Sequence, residues 1–316
     1  MSDDQPKDGP GSAGPGRASG APQRVITDTL AKPLARRFYK DASISDGPPF
    51  GILLDGKPVK TPKKRTLQVP TRRLAEAIAD EWRAQEALIN PARMPLTRFA
   101  NTAIDAVDDA REAVAADIAA YAGRDLLCYR AEAPEALAKL QSKYWDPIIA
   151  AAEATLGAPL KVVSGVMPVE QPGETLAAFA AALTPLEAFR LTGLHVLTTL
   201  TGSAFLALAL ARGQLSPDAA WAAAHVDEDY QIGLWGEDAE AAVRRRARRA
   251  EFDAACRFLM LLDMYRIRLA REGHSGRNFG KLIRARDWSP CCTCRASRNL
   301  RNVTGLSAAP SAKGAY

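Results

Sequence analysis

Residues 50–62 read FGILLDGKPVKTP, two short apolar runs separated by Asp55 and Gly56. An Asp-Gly pair between such runs is typical of a tight β-hairpin, because glycine accepts the positive φ that the turn requires. Residues 66–70 form another short strand-like run, and prolines scattered through this region each remove a backbone hydrogen-bond donor. The segment from about 36 to 70 is therefore predicted to be a small antiparallel β-rich module with edge-like strands.

The periodicity becomes helical after residue 70. Leu74, Ile78 and Trp82 recur every four residues, which predicts an amphipathic helix from an N-cap at Thr71 toward Ala87. Further helices are predicted at 96–107, 111–120, 134–156 with Gly157 as its stop, 174–183, 185–212 with Gly193 and Gly202 as candidate breaks, 217–235 and 239–269. The expected fold class is α+β, with a small β-rich N-terminal domain followed by a larger all-helical domain.

The predicted domain boundaries follow these changes in pattern. Residues 1–33 are expected to be disordered, and their first part is rich in Gly, Pro, Ser and Asp. The β-rich domain covers 34–70, or extends to about 90 if the next helix belongs to it, and the helical domain covers 71–272. Residues 273–316 are predicted to be a disordered or atypical basic tail, whose composition also fits translation in a shifted reading frame.

Charge and hydropathy argue against a membrane protein. The 316 residues carry 42 Lys and Arg against 36 Asp and Glu, and the basic tail beyond Glu272 accounts for the excess. The apolar run 191–211 is long enough to span a bilayer, but its first half is rich in Thr and Gly, which favours a buried helix or helix pair. No signal or transit peptide is recognised, so a bacterial cytoplasmic protein without membrane insertion is expected.

The sequence contains no recognisable catalytic or metal-binding constellation. No two histidines are four residues apart, and no glycine-rich phosphate loop or nucleophile elbow occurs. Cys128 lies in apolar surroundings that raise a thiol pKa, and His195 is interpreted as a hydrogen-bonded core residue. The cysteines of the tail lack the paired spacing of a zinc site. We therefore predict no catalytic residue, no metal and no cofactor.

An acidic, aromatic-bearing block, HVDEDYQIGLWGED, occupies residues 225–238. Glu228, Gln231 and Trp235 recur at three- and four-residue steps, which places them on one face of a helix. Two interpretations stay open: a partner-binding surface, or a solvated stripe with Trp235 packed into the core. The arginine run at 244–249 is likewise either a solvated helix face or a nucleic-acid contact.

Several short motifs, taken in order, resemble one family: the chaperones that assemble the F1 sector of ATP synthase by holding its alpha subunit, found in mitochondria and alpha-proteobacteria. The motifs are RFYK at 37–40, LDGKPVKTP at 54–62, EWRAQ at 81–85, MPLT at 94–97, NTAID at 101–105, DLLCYR at 125–130, WDP at 145–147, and DEDYQ at 227–231 followed by Trp235-Gly236. Each motif is weak alone, but their order from about 36 to 269 argues against chance.

The resemblance implies a chaperone without enzymatic activity or cofactor, whose client is the unassembled F1 alpha subunit, released when the beta subunit docks. It also implies that an acid in the segment 227–237 matters for function. Glu228 is the best placement, with Asp227 and Glu237 as less secure choices, and Gln231 and Trp235 complete the predicted partner-binding face, which is expected to border an apolar groove between helices. We expect a monomer that binds no nucleic acid. A small-molecule enzyme and a nucleic-acid-binding protein remain as alternatives.

Overall fold

The computed structural model describes residues 34–165 and 167–262. The predictions made for residues 1–33 and for the tail, including its cysteines and the shifted reading frame, lie outside these described residues. The architecture is α+β, because short strands between residues 42 and 69 precede a long series of helices. The predicted fold class is therefore confirmed.

A small antiparallel sheet forms the β-rich region. Its strands are β1 (Ala42–Ile44), β2 (Phe50–Leu54), β3 (Lys57–Pro58) and β4 (Gln68–Val69). Strand β2 is central, since β1, β3 and β4 all pair with it in antiparallel register. Between β2 and β3, Asp55 and Gly56 have φ values of 48° and 77°. These positive values are those of a two-residue hairpin turn, so the predicted hairpin is confirmed.

The helices follow in the order α1 (Arg72–Arg83), α2 (Pro95–Thr102), α3 (Arg111–Ala122), α4 (Glu135–Leu156), α5 (Gly173–Leu183), α6 (Ala188–Thr201), α7 (Ala204–Ala211), α8 (Pro217–Ala224), α9 (Val226–Trp235) and α10 (Ala239–Leu261). A π-helical turn, Ala103–Val107, continues from α2. Two further short strands, β5 (Tyr129–Arg130) and β6 (Val163–Ser164), form a parallel pair that the sequence did not predict.

Local capping chemistry sets several helix ends as expected. Thr71 is the N-cap of α1, where its side chain accepts a hydrogen bond from the Leu74 amide, and Gly157 ends α4 with a φ of 67°. Helix α1 ends at Arg83, so the predicted extension toward Ala87 is wrong.

The predicted segments 185–212 and 217–235 are each divided in the structure, and the first of them breaks at one of its two candidate positions. The 185–212 segment breaks at Gly202, which has a φ of 70°, but α6 runs unbroken through Gly193. The 217–235 segment is two helices rather than one, because His225 leaves the helical φ and ψ range between α8 and α9. This break decides the direction in which α9 projects.

Contact clustering divides the chain into two compact units. One contains residues 34–38 and Gln85–Asn90, in which an isolated antiparallel bridge joins Arg36 and Leu88. The other contains Tyr39–Ala84 and the described residues from Pro91 onward. The predicted boundary between a β-rich and a helical domain near residue 70 stays a prediction.

The core of the second unit is continuous and includes both strand and helix residues. Its largest fully buried side chains include Trp145, Phe179, Phe205, Phe252 and Phe258. The apolar run 191–211 contributes α6 and α7, a largely buried helix pair as predicted. Within the described residues, no helix is long and apolar enough to cross a membrane.

Candidate functional site

Helix α9 carries the acidic block and ends in two exposed apolar side chains. Leu234 is 57% exposed and Trp235 is 78% exposed. The interpretation in which Trp235 packs into the core is therefore wrong. Glu228, Gln231 and Trp235 all belong to this single helix, as their spacing predicted, and Gln231 is exposed as well.

Asp227, at the start of α9, turns toward α4. Its Oδ1 accepts a hydrogen bond of 2.7 Å from Nε2 of Gln141, a buried residue whose Oε1 accepts from the Ala131 amide. A buried amide with both ends bonded fixes the backbone that it joins. This geometry gives Asp227 a structural role in holding α9 against α4.

The next two acids turn toward Arg245 on α10. Asp229 forms an ion pair and hydrogen bond with the guanidinium of Arg245. Glu228 Oε2 lies 3.9 Å from Arg245 Nε, which is too long for a hydrogen bond. Within the part of the chain that the structure describes, the half-buried carboxylate of Glu228 accepts no hydrogen bond. It therefore retains its full capacity to accept one from a partner.

His225 lies behind Glu228 at the junction of α8 and α9. Its ring is buried, stacks on Trp221 with 3.8 Å between ring centroids, and places Nδ1 2.9 Å from the Trp221 carbonyl oxygen. Burial, reinforced by the nearby guanidinium of Arg245, lowers the pKa of His225 below its ordinary value. The sequence did not single out His225 or Arg245 as site residues, since no local pattern pairs them with α9.

The remaining predicted site residue, Glu237, lies exposed in the short connection between α9 and α10. Thus Glu228, Gln231 and Trp235 are brought together on one helix, Glu237 follows just beyond its end, and Asp227 is directed away toward α4. We call Glu228, Gln231, Leu234 and Trp235 the α9 face.

Most arginines of the run at 244–249 on α10 contact other groups of the same chain. Arg244 pairs with Glu240, and the Arg248 guanidinium donates to the Leu200 carbonyl oxygen at 2.8 Å. Arg249 pairs with both Asp218 and Asp253. Arg245, which pairs with Asp229, and the guanidinium groups of Arg248 and Arg249 are therefore used within the fold, which weakens the argument for nucleic-acid binding by this run.

The other groups considered as reactive or metal-binding are two cysteines, His195 and clusters of possible metal ligands. Burial raises the thiol pKa of Cys128 and of Cys256 to about 12, so both are expected to be inert, as predicted for Cys128. His195 is hydrogen-bonded to Asp117 at 2.8 Å as predicted, but it is partly exposed rather than in the core. Among the described residues, no cluster of three or more His, Cys, Asp or Glu side chains could hold a metal ion.

An open cavity of about 310 Å³ lies between the end of β4 and the start of α6. Asp108, Arg111 and Glu187 are the charged residues in its lining, and the first two form an ion pair with each other at 3.0 Å. Because the charges of this pair are mutually satisfied, the two side chains do not converge on a substrate position in the way that catalytic groups do.

Six of the motifs that carry the family resemblance contact one another in pairs. Glu81 accepts hydrogen bonds from the backbone amides of Leu96 and Thr97, both at 2.8 Å, and thereby caps the start of α2. The hydroxyl of Thr61 donates to Asp105 at 2.7 Å. The guanidinium of Arg130 forms an ion pair with the carboxylate of Asp146 at 2.6 Å. These motifs are therefore connections within the fold rather than parts of the α9 face.

Comparisons with known proteins agree with this architecture. Residues 36–153 match the model of the ATP12 chaperone protein family. The Atu1473 protein of Agrobacterium tumefaciens, described as a putative chaperone, is 46% identical over 78% of this chain and 92% of that chain, with a TM-score of 0.71. Atp12 from Paracoccus denitrificans is 44% identical over 72% of this chain and 98% of that chain, with a TM-score of 0.68.

An aspartate-to-lysine mutant of the Paracoccus denitrificans protein matches in the same way, at 43% identity over 72% of this chain and 97% of that chain, with a TM-score of 0.69. The identities are high, and the matched relatives are covered almost completely. The matched family and the Agrobacterium protein are described as chaperones, and this chain is accordingly a chaperone rather than an enzyme. The chain belongs to the ATP12 chaperone family, whose members serve ATP synthase assembly.

Proposed function

We propose that this chaperone binds the unassembled F1 alpha subunit in the bacterial cytoplasm, keeps it from aggregating and releases it to the beta subunit. The binding surface is the α9 face, with Glu237 at its rim. The chaperone acts as a monomer, without nucleotide, metal or other cofactor. The observation that carries the proposal is an exposed Trp235 on the same helix as Glu228, whose carboxylate has unused hydrogen-bonding capacity.

The physical need for such a surface comes from the client. A subunit destined for a ring of alternating subunits exposes apolar interface surface until its neighbour arrives, and such patches aggregate. Leu234 and Trp235 offer apolar contact area at the end of α9. Tryptophan side chains are among the residues that contribute most to binding at protein interfaces.

The polar residues of the α9 face, Glu228 and Gln231, orient the bound client. Glu228 and Gln231 are one helical turn apart, and Glu228 is not consumed by a strong internal ion pair. A cationic or amide donor of the client can therefore bond to this carboxylate while the indole covers an adjacent apolar patch. The apolar side chains of this face, Leu234 and Trp235, are exposed. The apolar groove that was expected between helices at its border stays a prediction.

The test uses purified alpha subunit diluted from denaturant with and without chaperone. The wild-type protein should suppress light scattering by the alpha subunit and form a complex that elutes together on size exclusion. Trp235→Ala and Glu228→Lys should each weaken the complex at least tenfold, the loss expected when an interface hot spot is removed.

Two matched variants serve as controls. Met167→Ala truncates another apolar side chain that is 77% exposed, and Glu135→Lys reverses an exposed acid in the first turn of α4. Both should bind the alpha subunit as the wild type does. Wild-type chaperone that neither binds nor protects the alpha subunit, or α9 variants that bind like the controls, would show that the proposal is wrong.

A further inference from the structure

The side chains of His225 and Glu228 face each other without a hydrogen bond. His225 Nε2 lies 3.9 Å from Glu228 Oε2, and no hydrogen-bond partner for this nitrogen exists among the described residues. The imidazole is only 4% exposed, whereas the Glu228 side chain is 38% exposed. A buried polar atom is thus aimed from inside the protein at the carboxylate of the α9 face.

The tautomer explains the gap between them. A carbonyl oxygen only accepts, so His225 Nδ1 carries the proton that bonds to the Trp221 carbonyl oxygen. In the neutral ring, Nε2 then presents a lone pair to the carboxylate, and two acceptors cannot bond. Protonation would turn Nε2 into a charged donor, whose hydrogen bond to a carboxylate is about 2.8 Å long. Closing the gap would draw the carboxylate inward by about 1 Å.

We propose that His225 positions Glu228 for the client. With a neutral His225, the carboxylate stays outward and can accept from the client; with a protonated His225, it is held inward and the client is bound less tightly. This inference rests on the proposed function, since it concerns how the α9 face is regulated.

The charges around the imidazole decide when it titrates. Burial lowers its pKa, the carbonyl oxygen of Trp221 on α8 raises it, Arg245 and Arg248 on α10 lower it, and Glu228 on α9 raises it. Arg249 lies 5.4 Å from the Trp221 ring centroid and is held by Asp218 and Asp253. From α4, the observed polar contacts to α8 and α9 are the uncharged Trp145 and Gln141. The ring is therefore neutral near pH 7 and charges only in acid.

Proton uptake by His225 and binding of the client to Glu228 then oppose each other. When one proton must leave before the client binds, Kd rises up to tenfold for each pH unit below the pKa of that group. A plot of log Kd against pH should approach a slope of minus one on the acid side and flatten near neutrality. Loss of fold alone would not produce this profile.

The experiment measures Kd for purified alpha subunit between pH 5 and 8, with far-ultraviolet circular dichroism at each pH. His225→Asn places an amide nitrogen where Nδ1 donates to Trp221 but has no titratable group. His195→Gln removes the other histidine of the described chain, on α6, and is the matched control. Wild type and His195→Gln should share the acid loss, and His225→Asn should lack it while binding normally at pH 8.

Identical pH profiles for wild type and His225→Asn would overturn the inference and leave the proposed function intact. If the wild type does not bind the alpha subunit at pH 8, the proposed function itself is overturned. If His225→Asn fails to fold, a histidine NMR titration of wild type and Glu228→Gln decides the matter. Removal of the carboxylate should lower the pKa of His225, because Glu228 raises it. An unchanged pKa would mean that the two groups are not coupled.

Discussion

Gln141 Nε2 donates a 2.7 Å hydrogen bond to Asp227 Oδ1, and this contact joins residues 86 positions apart. Gln141 is buried in α4, and Asp227 opens α9, so the bond fixes the root of the helix that carries the α9 face. The acid block is thereby divided: its first carboxylate serves the fold, and its second remains available for a partner.

The bond predicts a sharp difference between two substitutions of Asp227. Asp227→Ala leaves the buried amide of Gln141 without its acceptor, which should lower the free energy of unfolding by about 1–3 kcal/mol. Asp227→Asn keeps an acceptor oxygen and should lose much less. Urea denaturation followed by circular dichroism measures both, and equal stability of the two variants would contradict the structural role of this acid.

Asp125 predicts a pH dependence of stability. Its carboxyl is fully buried, accepts from the amides of Leu127 and Phe205, and burial raises its pKa to about 6. Because the folded state holds this proton more tightly than the unfolded chain does, the stability contributed by the protonated form is present at low pH. It is lost as the pH rises from about 4 to 6, by about 3 kcal/mol in all.

Asp125→Asn replaces the carboxyl with a group that does not titrate. The free energy of unfolding of wild type relative to Asp125→Asn should therefore fall across that interval and level off above pH 7. Urea melts at half-unit steps of pH measure the difference between the two proteins. A difference that is constant, or that grows in favour of the wild type, would show that the raised pKa is wrong.

Gly193 allows α6 to approach α10 closely. A Cβ atom at this position would lie 2.4 Å from Leu259 Cδ2 and 2.7 Å from Leu259 Cγ. Gly193→Ala should destabilise the protein by about 1–3 kcal/mol, because overpacking of a core outweighs the better helix propensity of alanine.

Gly233, in α9, is the matched control, since a Cβ there would meet no atom within 4 Å. Gly233→Ala should raise the free energy of unfolding by about 0.5–1 kcal/mol through helix propensity alone. Thermal denaturation should therefore shift in opposite directions for the two variants. A shift in the same direction would mean that α6 and α10 can separate without cost.

The arginine run predicts unequal effects of neighbouring substitutions. Arg245 is largely buried and pairs with Asp229, so Arg245→Gln should cost about 1–2 kcal/mol. Arg246 is exposed, and Arg246→Gln should change the stability by less than about 0.5 kcal/mol. Urea midpoints of the two variants compare them directly, and similar losses would argue against a structural use of this run.

Much of the fold followed from short patterns in the chain. The Asp55-Gly56 hairpin, the Thr71 cap and the stop at Gly157 were predicted, because each depends on the φ or the side chain of residues within one turn. The absence of the candidate break at Gly193 has a different cause. Helix α6 continues through Gly193 because close packing against Leu259 uses a glycine inside a helix, and no local pattern reveals that neighbour.

The candidate site divides along the same line. The sequence by itself determined that Glu228, Gln231 and Trp235 share one helix, because helical periodicity acts over three to seven residues. Only the tertiary structure decided that Trp235 is exposed, that Asp227 bonds to Gln141 and that Glu228 faces His225 and Arg245. The exposure of Trp235 and the contacts that Gln141 and Arg245 make with α9 depend on how whole helices pack. That packing is set by contacts between residues 16 to 86 positions apart in the chain.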